Sequence, residues 1–276
     1  MKLKLPINNP LPEIEPTINA ILKAGKSVMK IYNEDFTLSF KKDHEPITEA
    51  DIKSNEIIQK SISEFGYPIL SEESIDNMKR LEYEKIWIVD PLDGTSDFVK
   101  KTGEFTIMIG LVINQIPELG IIYWPTQNLL YLAQKSHGAY QFNGTTWSRM
   151  HVSSLSRLEE CNAVGSRFHR SDKERVLLEQ FKITKFTSRG SSLKAIDIGL
   201  GNAELYFTAS DKIKQWDTCA SHCLVTESGG KITDMLGNEL IYNTKILNHK
   251  NGILITNGLI HDAILDIYRD FSKNNQ

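Results

Sequence analysis

The run from Trp87 to Phe98 carries three carboxylates, Asp90, Asp93 and Asp97, in a turn directly after the apolar segment Ile86 to Val89. Like charges held that close repel, and a cation between them relieves the repulsion, so the first chemistry to consider is metal binding. Two alternatives fail on spacing. An EF-hand loop counted from Asp90 needs Gly sixth and Glu twelfth, and those positions hold Thr95 and Lys101. A phosphatase with a nucleophilic aspartate sets its two acids two residues apart; Asp90 and Asp93 are three apart, with Pro91 between. By itself, an Asp-Gly turn such as Asp93-Gly94 is more often a loop than a site.

Other acids sit at comparable places. Glu72 and Glu73 follow the short apolar pair Ile69-Leu70, and Asp217 lies in Trp216-Asp217-Thr218 at the start of a helical pattern. Each is weak evidence alone. Adjacent glutamates after a strand are usually solvated, and Asp51, three residues after Thr48, fits a helix capping box. Together they form a carboxylate-only set, which suits a hard cation such as magnesium, an ion that commonly shares its shell with a substrate phosphate. Two cations about 3.5–4 Å apart would hold an attacking water and a leaving oxygen in line. Helix starts at Gly94-Thr95, Ser191-Ser192 and Thr218 would offer backbone N–H groups to phosphate oxygens.

The elements that must position these groups read as follows. Pro12 to Ile31 has a helical apolar stripe, Phe36 to Phe40 alternates like a strand, and a polar loop leads to a second helix bearing Ile58 and Ile62. Ile86 to Val89 predicts a buried strand of four or five residues that Pro91 ends, after which Gly94 allows a tight turn and Thr95 or Ser96 caps a helix. Met78 to Lys85 reads as a polar connection. Glu104–Asn114, Leu119–Trp124, Leu129–Ala133 and Ala139–Phe142 predict a largely antiparallel sheet. Beyond residue 150 strands alternate with helices: strands at Asn162–Gly165, Phe186–Ser188, Glu204–Thr208 and Ile253–Thr256, helices at Asp172–Phe181, Leu193–Leu200, Trp216–Glu227 and Leu259–Phe271. Gly229-Gly230 stops the third of these helices. The expected halves are 1–150, α+β and holding most of the acids, and 151–276, α/β and holding Asp217, joined as one compact unit.

Composition excludes some classes. With 32 basic and 35 acidic residues in 276, the formal charge of −3 gives no footprint for a nucleic acid polymer. No apolar run approaches the roughly 20 residues of a membrane span. Met1 to Pro16 lacks the apolar core of a signal peptide. The odd set Cys161, Cys219 and Cys223 reads as packing thiols in a cytoplasmic protein, since no further zinc ligands stand at suitable spacing. A homodimer through an apolar patch on the first-half sheet is left open.

Leu70-Ser71-Glu72-Glu73, Asp90-Pro91-Leu92-Asp93-Gly94-Thr95 and Trp216-Asp217-Thr218 with Gly229-Gly230 resemble the signature blocks of the inositol monophosphatase superfamily, with Thr48-Glu49-Ala50-Asp51 as an additional block. The likeness runs from about Pro12 to the C-terminus in the right order. It implies a layered αβαβα fold and a magnesium-dependent, lithium-inhibited phosphatase. By position, Glu72, Asp90 and the carbonyl of Leu92 would bind the activating ion, Asp90, Asp93 and Asp217 a second, and Glu72 would support a weaker third. Thr95, oriented by Asp51, would place the attacking water, and Gly94, Thr95 and Asp217 would also meet the substrate. A non-catalytic relative should have lost at least one of these groups, and all are present.

Within that superfamily, Lys100 to Thr106, Gly190-Ser191-Ser192-Leu193-Lys194 and Ser166-Arg167-Phe168-His169 are similar to the CysQ-type 3'(2'),5'-bisphosphate nucleotidases. That likeness implies contacts from Ser191 and Lys194 to the phosphate and ribose, with His169 near the base. Seven residues before Asp217, where inositol phosphatases place a Glu, this chain has Ser210, and Lys212 and Lys214 follow. The Asp217-Thr218-Cys219 version of the last block is more like the animal nucleotidases. The substrate so implied is 3'-phosphoadenosine 5'-phosphate, cleaved to AMP and phosphate; the alternative is an inositol or broad sugar monophosphatase.

Overall fold

The computed structural model describes residues 4–40, 46–168 and 171–274. Its first half runs α1 (Ile14–Tyr32), β1 (Leu38–Phe40), β2 (Pro46–Thr48), α2 (Glu49–Ile62), β3 (Ile69–Ser71), β4 (Lys85–Asp93), α3 (Thr95–Val99), β5 (Thr106–Ile113), β6 (Ile116–Trp124), β7 (Leu129–Gln134), β8 (Gly138–Phe142) and β9 (Trp147–Arg149). The second half continues with β10 (Asn162–Ser166), α4 (Asp172–Gln180), β11 (Lys185–Arg189), α5 (Leu193–Gly199), β12 (Leu205–Thr208), α6 (Gln215–Glu227), β13 (Lys231–Thr233), β14 (Ile253–Thr256) and α7 (His261–Asn274).

Strands β3 to β9 lie side by side in sequence order as a seven-stranded sheet, antiparallel apart from the β3–β4 pair. Side chains alternate across a strand, so Ile107, Ile109 and Leu111 of β5 pack under α1 and α2, while Met108 and Val112 face the other way, toward α5 and α6. A second sheet, ordered β11-β10-β12-β14-β13, lies beyond α5 and α6. Leu177 of α4, Phe181 at its C-cap and Ile264 of α7 cover its outer face. The result is the layered αβαβα arrangement the signature blocks imply.

Helix α6 sits very close to the first sheet. Gly110 and Gly120 are directly opposite one another in β5 and β6. A Cβ added to Gly110 would overlap Cys219 Sγ, and one on Gly120 would come within 3.0 Å of Cys223 Cβ. Cys219, Cys223 and the Ala220 carbonyl therefore fill a notch that only glycine leaves open. All three cysteines are buried and unpaired, as the sequence suggests.

Three expectations need correction, and two short strands escape the sequence reading. Strand β4 does not stop at Pro91; it runs to Asp93, and a bulge puts Pro91 and Leu92 opposite Ile107 alone. A bulge leaves one residue unpaired, so the missing N–H of proline costs the ladder nothing there. Gly94 (φ 90°), rather than Thr95 or Ser96, occupies the N-cap of α3. The short edge strands β9 and β13 have too few residues to show an alternation. The Met78–Glu82 segment folds as a 3-10 turn whose Arg80 is only 2% exposed. Its guanidinium donates to Asp76, to Asn243 Oδ1 (2.8 Å) and to the Thr244 carbonyl (3.0 Å), so the buried charge is fully partnered.

Candidate active site

The bulge in β4 delivers Asp90 and Asp93 at the end of a buried strand. Asp90 is 1% exposed, and its Oδ1 accepts the Leu92 N–H at 3.0 Å. Glu72 arrives from the neighbouring strand, anchored by its own N–H to the Val89 carbonyl at 3.2 Å. Asp217 comes from the first turn of α6, where its Oδ2 accepts the Lys214 N–H at 2.7 Å. Carboxylate oxygens of Glu72, Asp90 and Asp217 all fall within 4.8 Å of one another. Burial, reinforced by Glu72, pushes the Asp90 and Asp217 carboxyls well above the usual carboxylate range. Burial raises Asp93 as well, against the pull of the Lys194 ammonium. An all-oxygen set under mutual repulsion fits a hard divalent cation.

Asp93 stands beside this trio with one oxygen already engaged. Its Oδ2 accepts the Ser192 N–H and lies 3.4 Å from Thr106 Oγ1. The Ser192 N–H is therefore spent on the protein, which corrects the expectation that this helix start offers it to a phosphate.

Asp51 does two jobs with two oxygens. Its Oδ2 accepts the Thr48 N–H (2.8 Å) and hydroxyl (2.7 Å), completing the capping box of α2. Its Oδ1 accepts the Thr95 hydroxyl at 3.0 Å. Burial raises the Asp51 carboxyl despite these bonds. Thr95 Oγ1 is also 3.3 Å from the Leu92 carbonyl, so one threonine hydroxyl reports on both the bulge and the buried acid.

Ser191 holds a left-handed backbone (φ 49°), and its buried hydroxyl has no partner among the described residues. Lys194, on the first turn of α5, is itself buried, with Nζ donating to the Ser191 carbonyl and lying 5.3 Å from the Tyr206 ring centre. Burial lowers its ammonium below the usual lysine range, with Asp93 opposing. A cavity of about 720 Å³ connects these groups: Glu72, Asp90, Leu92, Asp93, Gly94, Thr95, Ser191, Lys194 and Asp217 all line it, and it continues past Phe186 and Tyr206 to Ser210, Lys212 and Lys214. His169 lies outside the described residues.

Below Asp217, Thr218 Oγ1 meets His249 Nε2 at 2.8 Å and the Tyr242 hydroxyl at 3.1 Å. Burial pushes the His249 imidazole down to about 4. Because the unfolded chain binds that proton more readily, the stability contributed by the neutral ring is complete above pH about 6.5 and is lost as pH falls toward 4, by at most about 3 kcal/mol. Urea midpoints should fall over that window, and His249→Gln should reduce the slope without abolishing it, because burial holds His222 and His261 down to about 4 as well.

Sequence reasoning missed an ionic network at the cavity edge. Glu104 and Arg167 lie within the nucleotidase-like blocks and Arg189 directly before one, yet Glu104 bonds to both arginines, Arg167 to Asp97 and Arg189 to Asp197. The only available signal was the charge complementarity of three distant segments.

A model of the inositol monophosphatase family matches residues 11–271. A 3'(2'),5'-bisphosphate nucleotidase CysQ from Buchnera aphidicola is 36% identical over 230 residues, covering 80% of this chain and 83% of that protein. A fructose-1,6-bisphosphatase/inositol-1-monophosphatase from Thermotoga maritima is 30% identical, covering 92% and 94%. Among solved structures, CysQ from Bacteroides thetaiotaomicron superposes with a TM-score of 0.75 at 31% identity, covering 88% of this chain and 96% of that one.

Proposed function

The chain belongs to the inositol monophosphatase family, and from that premise we propose that it is a magnesium-dependent 3'(2'),5'-bisphosphate nucleotidase that hydrolyses 3'-phosphoadenosine 5'-phosphate to AMP and phosphate. The observation that carries the chemistry is the trio Glu72, Asp90 and Asp217, converging within 4.8 Å at one end of the cavity. On this reading Glu72, Asp90, the Leu92 carbonyl, Asp93 and Asp217 would hold two magnesium ions, and Glu72 would support a weaker third. Bound there, the ions supply Lewis-acid polarisation of the ester and neutralise charge as the ester bond breaks.

The protein's own groups do the rest. Thr95 Oγ1 holds the attacking water; as it takes that water's proton it passes its own to Asp51 Oδ1, which burial has made more basic than an ordinary carboxylate. Gly94, in its left-handed turn, leaves space beside Ser191 for the phosphoryl oxygens. The unpartnered Ser191 hydroxyl and the Lys194 ammonium contact the phosphate and ribose. By its resemblance to the nucleotidase block, His169 would meet the base.

Two features favour a nucleotide over a polyol. Ser210 lines the cavity where an acid would grip inositol hydroxyls, and Lys212 and Lys214 beside it suit a second phosphate. No helix of the described residues is long and apolar enough to cross a membrane.

The test is phosphate release with magnesium, comparing 3'-phosphoadenosine 5'-phosphate with inositol 1-phosphate, with and without lithium. A preference for the nucleotide of about 100-fold, equivalent to about 2.7 kcal/mol, is the expected result. Comparable rates would leave a phosphatase of broad sugar specificity, the reading that the Thermotoga relative supports. Lys194→Ala should raise KM for the nucleotide by about 10-fold or more, the scale of a charged hydrogen bond, and change inositol 1-phosphate turnover much less.

A further inference from the structure

Glu104 comes from the first half of the chain, two residues before β5, and its carboxylate is shared among three donors from the second half. Oε2 accepts the Gly190 N–H at 2.8 Å and Arg167 Nη2 at 2.8 Å; Oε1 accepts Arg189 Nη1 at 3.0 Å. Arg189 is held from its other side by Asp197 at 2.7 Å, and Arg167 by Asp97 at 3.2 Å. The backbone is equally tight: a Cβ on Gly190 would stand 2.5 Å from Asp97 Oδ2 and 2.6 Å from the Glu104 carbonyl. Gly190 is thus pinned from two sides, and the next two residues are the strained Ser191 and the Ser192 that donates to Asp93.

We propose that Glu104 is a positioning residue for phosphate binding: by gripping Gly190 it fixes the Ser191 hydroxyl toward the cavity and the Ser192 N–H on Asp93. A left-handed non-glycine backbone is disfavoured and persists only where its neighbours hold it. The Gly190 N–H bond is a hold of that kind, and it is charge-assisted. The two arginines aim the Glu104 carboxylate, with 30% and 29% of their side chains at the surface and only 14% of Glu104 exposed. These charged groups reach the site through the 190–192 turn, and Asp97 and Glu104 also favour the charged form of Lys194.

The proposal rests on the reading of Ser191 as a phosphate contact and not on the identity of the ester. Its test is a double-mutant cycle of Glu104→Gln and Ser191→Ala, read as kcat/KM on whichever ester the wild type cleaves fastest and, independently, as the Kd for inorganic phosphate by calorimetry. Each single variant should weaken both quantities by about 10-fold, mainly through KM, and the double variant by little more than either alone. Multiplicative losses near 100-fold, or a Glu104→Gln protein with wild-type KM and Kd, would overturn it. Should Glu104→Gln fail to fold, Arg189→Lys keeps the charge but removes the fork. Run through the same cycle, it must show the same non-additivity. Lack of activity on the nucleotide alongside an intact cycle on a monophosphate would remove only the proposed substrate.

Discussion

Asp90→Asn should reduce turnover by about 10³-fold or more and, at the same time, make the cation-free protein more stable than the wild type. The first effect follows from losing a carboxylate that both ions are proposed to share, worth several kcal/mol of transition-state charge stabilisation. The second follows from the electrostatics of the empty trio. Asp90 is buried, and Glu72, Asp93 and Asp217 all disfavour its charge. A neutral amide of the same shape still accepts the Leu92 N–H and removes that repulsion, a change expected to stabilise by about 1 kcal/mol or more. Thermal unfolding in EDTA should therefore place the variant a few degrees above the wild type. Added magnesium should raise the wild-type Tm and leave the variant nearly unmoved, because only the former gains binding energy on folding. A variant that remains active, or that is less stable without cations, would contradict the assignment of this cluster as the cation site.

Asp51→Asn should lower kcat by about 10²–10⁴-fold with little change in KM, the range for removing a general base. Thr48→Ala provides the contrast. It deletes the capping hydroxyl and should cost about 1 kcal/mol of stability, while kcat changes by no more than a few-fold. The pair separates the two oxygens of one carboxylate: Oδ2 serves the helix, Oδ1 serves Thr95. Because Asp51 must be ionised to accept a proton and burial raises its pKa, the acid limb of the wild-type rate profile should lie above the ordinary carboxylate range. An acid limb near 4, or a Thr48→Ala enzyme as impaired as Asp51→Asn, would assign Asp51 to structure alone.

Much of the site was legible because its groups come in short local blocks. Asp90, Asp93, Gly94 and Thr95 are neighbours in sequence, and Glu72 and Asp217 each follow or begin an element whose periodicity is plain. The layers were legible for the same reason, since the apolar stripe of α1 and the apolar runs of β5 and β6 survive in the structure. What escaped was non-local. Pro91 inside β4 is permitted by a bulge that depends on the partner strand, and no rule applied to one strand reveals it. Arg80 looked like a solvated charge until Asn243 and Thr244, more than 160 residues away, closed over it. Glu104, Arg167 and Arg189 are unremarkable singly, and only folding brings their charges together. Asp51 was readable as a cap from its spacing, and its second role came only through resemblance.

The seat of α6 on the first sheet bears on which ion the protein would prefer. Asp217 rides on that helix, while Asp90 belongs to the sheet, so their separation is set by how closely the helix lies against Gly110 and Gly120. A side chain at either glycine would overlap the helix, so the close seat depends on both. Magnesium wants oxygen ligands at about 2.0–2.1 Å and tolerates little distortion, whereas calcium accepts about 2.3–2.6 Å in a looser shell. An acid trio whose spacing is fixed by backbone contact cannot easily expand for the larger ionic radius. Discrimination between the two ions would thus be set partly by two glycines that coordinate neither.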